Sequence, residues 1–309
     1  MGKYIFQRII AIFLTLFIIV TVTFFLMRGA PGSPFSAEKA ISASILERLN
    51  AEYGLNNPWY QQYGDYLGKV VRFDFGTSMK SRYLTTNKVI NEGFPTSATL
   101  GLEAIFLAVS FGLMIGTLAA LNHNKWQDYT MNIIAVLGIS VPSFVMASVL
   151  QYLLAVKLQI FPISGWGTFM QSLLPAITLS LSPMAFIAKL TRSAMLEQMG
   201  SEYVKLATAK GMTRKRVIFK HAMRNAILPV VTYLGPLTAA VITGSVVIEN
   251  IFGIPGLGKY FVQSITNRDY PLIMGVTVFY SIILLSAILI VDISYALIDP
   301  RISLKGKAK

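Results

Sequence analysis

Six runs of predominantly apolar residues, each about the length that crosses a bilayer, constrain this chain more than any other feature. They cover roughly residues 9–27, 98–121, 131–156, 173–190, 227–248 and 272–298. The first, "IIAIFLTLFIIVTVTFFLM", is longer than the apolar core of a cleaved signal peptide, and "RGAPGSPF" after it makes a weak cleavage site. It is read as a retained anchor. Composition agrees: 54% of residues are hydrophobic and 13% charged, and mean hydropathy is +0.59. A soluble domain is nearer a quarter charged. The expected fold is an all-α polytopic membrane protein.

The formal charge of +13 would point to nucleic acid in a soluble protein. In a membrane protein it points to basic cytoplasmic loops. Lys3 and Arg8 precede the first run, and Lys125 follows the second. Residues 191–226 carry Arg192, Lys205, Lys210, Arg214, Lys215, Arg216, Lys220 and Arg224, against Glu197 and Glu202. The tail carries Arg301, Lys305, Lys307 and Lys309, whereas "LQIFPISGWGTFMQS" has no charge. Both termini are therefore expected in the cytoplasm, with segment 28–97 outside. The chain has no cysteine, which excludes disulfides and thiolate metal sites. His123 and His221 lie far apart and form a poor basis for a metal site.

"GIPGLGKY" (253–260) fits the phosphate-loop pattern GxxxxGK(S/T) except at Tyr260, where a hydroxyl should hold Mg²⁺. Its expected place outside the cell, away from ATP, argues against a nucleotide site. So does the expected lack of a preceding strand and a following helix. It is read as a Gly/Pro-rich turn.

The external segment carries helical stripes. Ile41, Ile45, Leu49 and Tyr53 fall at intervals of four, with Gly54 as a C-terminal cap. Pro58 is placed at the start of the next helix, with Trp59, Tyr63, Tyr66 and Val70 on one face. A third short helix, "TTNKVINEGFP", is expected to stop at Gly93 and Pro95. The segment is either a packed cap or a docking surface for an external partner.

Within the spans, Gly112 and Gly116 form a GxxxG pair that lets helices approach closely. Pro142, Pro183, Pro229 and Pro236 mark breaks. Asp292, two turns before Asp299, is expected in a structural ion pair with Lys189 or Arg192, a transport site being the alternative. The spans otherwise read as nearly uncharged, which disfavours a stand-alone ion-coupled carrier or channel. No cluster of nucleophile, acid–base or metal residues supports a membrane enzyme.

In loop 191–226, Ser201 can cap a helix with Glu202 in its first turn. Ala207 and Ala209 keep one surface slim, Gly211 ends the helix, and Thr213 can cap the next. The pattern E-x-x-x-x-A-x-A-x-G, followed by N-A-x-x-P, falls on Glu202, Ala207, Ala209 and Gly211, then Asn225, Ala226 and Pro229. It resembles the EAA loop of ABC-importer permeases, with Glu-Tyr (Tyr203) in place of Glu-Ala. "RGAPGSPF", "YGLNNPWYQQYGDYL", "DFGTSMK", "IFGIPGLGKYFVQSITNRDYP" and "VDISYALIDPRI" are similar to the oligopeptide/dipeptide branch, most like its B-type permease subunit.

The resemblance implies an oligopeptide-importer permease that is not itself an enzyme. It would form half of a pathway in the bacterial cell membrane. It also implies partners: a homologous second permease, two cytoplasmic ABC ATPases and an extracytoplasmic peptide-binding protein. No cofactor would be bound by this chain, ATP and Mg being on the ATPases. Importers of dipeptides, nickel or glycosides are the near alternatives. The coupling residues would be Glu202, Tyr203, Ala207, Ala209, Lys210 and Gly211. The external motif would comprise Gly253, Pro255, Gly256, Gly258, Arg268, Asp269 and Tyr270. The expected organisation is N-terminus and first helix 1–27, external helical segment 28–97, and five-helix permease core 98–298. The core includes coupling loop 191–226 and external loop 249–271, and a basic tail 299–309 follows.

Overall fold

The computed structural model describes residues 2–30, 34–35, 42–242 and 246–298. Ile41, Asp299 and the basic tail lie outside them. The elements, in order, are α1 (Gly2–Gly29), α2 (Ala43–Glu52), α3 (Trp59–Val71), α4 (Thr86–Leu121), α5 (Trp126–Ser140) and α6 (Ser143–Leu150). A π-helical turn (Gln151–Lys157) extends α6. Then come α7 (Phe169–Met199), α8 (Glu202–Ala209), α9 (Arg214–Arg216), a second π-helical turn (Val217–Ala222), α10 (Met223–Ala226) and α11 (Leu228–Ile242). The last are α12 (Val246–Ile251), α13 (Leu257–Asn267) and α14 (Tyr270–Ile298). Among the described residues there is one isolated β-bridge, between Thr77 and Thr85, and no strand.

Four helices are single candidate spans: Ile5–Gly29, Thr86–Leu121, Phe169–Met199 and Tyr270–Ile293. The other two expected spans are bent pairs. Trp126–Ser140 and Ser143–Lys157 meet at 106°, at Val141 and Pro142. Pro142 supplies no N–H and disfavours helix in the residue before it, so the ladder breaks there. Arg214–Ala226 and Leu228–Ile242 meet at 48°. The count of six holds only if each bent pair is one span.

Of the described residues, those within 1–96 and 255–285 form one compact unit, and those within 97–254 and 286–298 the other. In the first, the expected stripe of α3 is realised against α1. Tyr63 and Tyr66 meet Phe24 at ring separations of 5.2 and 5.8 Å, and Trp59 and Tyr63 meet Phe25 at 5.8 Å. Thr21 Oγ1 and the Tyr63 hydroxyl share a 2.7 Å hydrogen bond. Gly54 (φ +64°) ends α2 as expected, with Gly54 N donating to Ala51 O and Leu55 N to Asn50 O. Pro58 stands one position earlier than expected, as the N-cap of α3.

One expectation fails. Gly93 and Pro95 do not stop a short helix; α4 runs unbroken through both. Pro95 does cost the helix a donor, but packing outweighs local propensity. Gly93 lies against the backbone of Leu257, where a Cβ would come within 3.0 Å, so the missing side chain serves close contact rather than termination. Val20, Phe75, Val89, Ile90, Leu257, Leu272, Val276 and Val278 form the core around it.

In the second unit, α7 is the central element, packed by α4, α5, α6 and α11. The GxxxG pair is the α4–α7 seam. A Cβ on Gly112 would meet Ile187 Cγ2 at 2.7 Å, and one on Gly116 would meet the Ala188 carbonyl and Thr191 Cβ. A useful contrast is Gly64 in α3, which has open space around it. Gly116→Ala and Gly64→Ala make the same replacement in a helix. We expect Gly64→Ala to be neutral or stabilising by up to about 1 kcal/mol. We expect Gly116→Ala to destabilise by about 1–3 kcal/mol through overpacking. Thermal unfolding of the purified protein in detergent checks the sign of each.

Candidate functional site

The loop after α7 folds into a knuckle. Ser201 has the extended backbone of an N-cap, and its carbonyl receives the Val204 and Lys205 N–H groups. The expected side-chain cap is absent, because the Ser201 hydroxyl donates to the Gln198 carbonyl at 2.5 Å instead. Thr213 likewise stands at the N-cap of α9 without a side-chain cap. Gly211 does end α8 in a left-handed conformation, φ +75°. Gly211 N donates to Thr208 O and Met212 N to Ala207 O, while Met212 packs beside Ala207. These bonds and that contact define the glycine-terminated helix end.

The two alanines face opposite ways. Ala207 is 4% exposed and sits with Val204, Met195, Val217, Ile218, Ala222 and Ala226 in one cluster. It is the inner face of the knuckle, so the slim outer surface expected of both belongs to Ala209 alone. Glu202, Tyr203, Leu206, Ala209 and Lys210 are exposed. Leu206 is a 57% exposed aliphatic side chain on a polar loop. Glu202 Oε1 accepts from Lys205 Nζ at 2.8 Å. The departure at Tyr203 has a structural role: its hydroxyl donates to Gln198 Oε1 (2.7 Å) and accepts from Asn225 Nδ2 (2.9 Å). It thereby ties α8 both to the end of α7 and to α10. Asn225 and Gln198 were not legible as partners of Tyr203, being 22 and 5 residues away.

The external motif divides between the units. Gly253 (φ +64°) turns the chain beside Ser164. Pro255 is exposed, Gly256 caps α13, and Gly258 is buried in its first turn. A helix therefore follows "GIPGLGKY", contrary to expectation. The preceding element is the helix α12 rather than a strand, and Leu257 and Gly258 are buried against the chain's own core. Arg268 takes the left-handed conformation (φ 55°) at the end of α13, at a cost of about 1–2 kcal/mol relative to glycine. That turn delivers Asp269, 2% exposed, to the "TSMK" stretch. Ser78 Oγ donates to Asp269 Oδ2, and Met79 N donates to Oδ1 at 3.1 Å. The Tyr53 hydroxyl donates to the Ser78 carbonyl at 3.1 Å, and burial, with Glu52 adding, raises that phenol above its ordinary value. Tyr270 borders a cleft of about 750 Å³ that also meets Arg28, Glu52, Gln62, Tyr66 and Lys69.

Of the charged groups paired among the helices, Asp128, Arg192 and Glu249 lie just outside the expected spans and Glu103 inside one. Arg192 pairs with Asp128, not Asp292: Nε–Oδ1 is 2.5 Å and Nη2–Oδ2 is 2.7 Å. His123 Nδ1 lies 3.2 Å from the same carboxylate. Glu249, fully buried, accepts from Ser97 Oγ at 2.7 Å, and Glu103 accepts from Ser172 Oγ at 3.1 Å.

Comparison with known proteins agrees with this architecture. The chain is 47% identical to the dipeptide transport system permease protein DppB of Bacillus subtilis, over 99% of this chain and all of that one. It is 44% identical to the oligopeptide transport system permease protein OppB of Haemophilus influenzae, over 98% and 99%. It is 41% identical to OppB of Escherichia coli, with the same coverage. The crystal structure of an amino acid ABC transporter with histidines shares the fold: TM-score 0.54 at 16% identity, over 68% of this chain and 94% of that one. Residues 1–100 match the N-terminal family model for membrane components of binding-protein-dependent transport systems. Residues 112–304 match the main one. The chain is a multi-pass membrane protein and belongs to the family of binding-protein-dependent transport system inner membrane components.

Proposed function

We propose that this chain is the B-type permease of an ATP-driven oligopeptide importer. It lines half of the translocation pathway, beside a homologous second permease. Two ATPase subunits hold ATP and Mg²⁺ on the cytoplasmic side, and a peptide-binding protein delivers cargo outside. The chain itself performs no hydrolysis and binds no cofactor. The observation that carries the reading is the knuckle. α8 is closed by its own core on the Val204–Ala207 side and open on the Tyr203–Leu206 side, on a chain whose full-length relatives are named as peptide permeases. A dipeptide cargo is a second reading, favoured by the name of the Bacillus subtilis relative.

Orientation is tested with single cysteines, since the chain has none of its own. Tyr83→Cys and Gln263→Cys, at exposed positions, are expected to react with an impermeant thiol reagent from outside intact cells. Lys205→Cys is expected to react only after the membrane is opened. Reaction at Lys205→Cys from outside would invert the topology.

Coupling is tested at the open face. Leu206→Asp puts a charge on the exposed apolar contact, and Gly211→Val forces a branched side chain into φ +75° in otherwise open space. The second costs on the order of 1–2 kcal/mol, too little to unfold packed spans and enough to misdirect a short helix. Both variants are expected in the membrane at near-normal abundance, with peptide uptake and binding-protein-stimulated ATP hydrolysis lost. Normal uptake and stimulation in both would reduce the knuckle to a solvated connection. Ala207→Trp is a different experiment: it overpacks the inner face and is expected to lower abundance itself.

A further inference from the structure

The helix that leads into the knuckle has an unusual outer face. Between residues 171 and 199 of α7, the exposed positions are Ser182, Phe186, Lys189, Ser193 and Glu197. At 3.6 residues per turn these fall within an arc of about 80°. Every other side chain in that stretch is buried or half-buried. The stripe is polar in four of its five members, on a helix apolar and long enough to span a membrane. Ser182, Phe186 and Lys189 lie within the expected span 173–190, and Ser193 and Glu197 continue the stripe toward the knuckle. Outward positions of α4 from Leu102 to Leu118 read differently: Leu102, Phe106, Phe111, Met114 and Leu118 are exposed hydrocarbon that lipid can cover, with Ser110 the one hydroxyl among them. A charged and hydroxyl-bearing stripe is not matched by lipid; polar and ionisable residues within spans face a water-filled cavity or a partner.

Two observations favour water. The one large ring on the stripe, Phe186, does not stand alone, because it lies 4.5 Å from Tyr233 of α11. Beside Tyr233, the next outward positions of α11 are Thr232 and Pro236, neither of them a large side chain. Lys189 is the only basic group on the stripe, and among the described residues it has no carboxylate within ion-pair distance. Its neighbour Arg192, on the adjoining face, is neutralised by Asp128. The structure thus quenches one cation of this helix and leaves the other presented on the outer stripe.

We infer that the Ser182–Lys189–Ser193 stripe of α7 is this chain's wall of the translocation pathway, and that Lys189 receives the carboxylate of a passing peptide. Hydroxyls suit a moving peptide backbone, since they donate and accept without selecting side chains. A lysine attracts a carboxylate as a mobile point charge, without the two-pronged grip of an arginine. A cation as cargo would be repelled at the same position. The inference rests on the peptide-importer reading for its cargo, but not for the exposure of the stripe to water.

The test uses the complete importer in proteoliposomes, with binding protein and ATP. Single cysteines replace Ser182, Ser193, Phe13 and Phe106. The reagent is a charged, membrane-impermeant thiol reagent present on both sides. Ser182→Cys, inside the expected span, is expected to react at least about tenfold faster than Phe13→Cys and Phe106→Cys, which lie on apolar exposed faces, and to approach the rate of Ser193→Cys, the water-exposed reference beyond the span. Reaction of Ser182→Cys no faster than Phe13→Cys and Phe106→Cys would overturn the pathway wall and assign the stripe to a protein–protein contact. In parallel, Lys189→Arg and Lys189→Glu are compared for uptake of radiolabelled trialanine and for binding-protein-stimulated ATP hydrolysis. Lys189→Arg is expected to retain uptake, and Lys189→Glu to lower it about tenfold while hydrolysis persists. Unchanged uptake by Lys189→Glu would overturn the carboxylate contact. So would joint loss of uptake and hydrolysis, which would place Lys189 in folding or coupling. Absence of trialanine uptake by the unsubstituted complex would instead remove the peptide reading, while the cysteine pattern would still decide whether the stripe faces water.

Discussion

Hydrocarbon offers no hydrogen-bond partner to a peptide group, and the architecture of this chain follows from that refusal. Each span must be a helix, and each break in a helix must be repaired by the protein itself. The repairs are visible around the break after α6. Gln151 sends its amide to the carbonyls of Ile163 and Ile251, at 2.8 and 3.1 Å. Gly165 N donates to Phe252 O at 2.9 Å. Thr168 and Gln171 close a reciprocal cap at the start of α7. Ala147, Ala155, Leu174, Ile248, Phe252 and Ile254 fill the space beneath. A side-chain amide thus does the work that water would do at a soluble loop.

The same refusal explains what could be read from the sequence and what could not. The apolar runs were legible, because hydrocarbon thickness sets their minimum length, but the helices that contain them were not: α4 runs over 86–121 and α7 over 169–199, against expected spans of 98–121 and 173–190. Breaks were legible only as residues: Pro142 was marked, but its bend of 106° depends on what packs on either side. Glycines divided by mechanism. Gly54 and Gly211 were read correctly, since a left-handed helix end is a local property with a local signature. Gly93 was misread as a stop because its cause lies 164 positions away, in the backbone of Leu257. The fate of Ala207 was hidden for the same reason. Small size in a motif does not say whether the space it leaves is filled by another protein or by the chain's own Met195.

Buried carboxylates were the least legible features, and each is satisfied differently. Asp128 has a bidentate arginine together with the Asn124 N–H and the Asn132 amide. Asp269 takes a hydroxyl and a backbone N–H, and Glu249 a serine hydroxyl. The partners stand 64, 191 and 152 residues away, so no window of sequence contains both ends. Such groups contribute little net stability once desolvation is counted, yet removing one partner leaves the other costly to bury. Their use here is to fix which helix meets which. Asp269 joins two stretches that the family resemblance marked separately, and the pairing gives those stretches a common physical reason to be kept.

Consider finally how a displacement at the knuckle would travel. α8 is exposed at Leu206, Ala209 and its C-cap Lys210, and it is tied to its neighbours in two ways. Val204 and Ala207 are packed on Met195 of α7 and on Ala222 and Ala226 before α11. The Tyr203 hydroxyl bonds to Gln198 and Asn225, again one partner toward each long helix. Gly211 closes the end without a side chain that could brace against anything else. α8 is thus in contact with both the end of α7 and the segment leading into α11. Those two helices carry Phe186 and Tyr233 in ring contact. On the proposed reading, in which α8 meets an ATPase and the outer stripes face the pathway, these contacts join the site that would receive motion to the residues that cargo would pass.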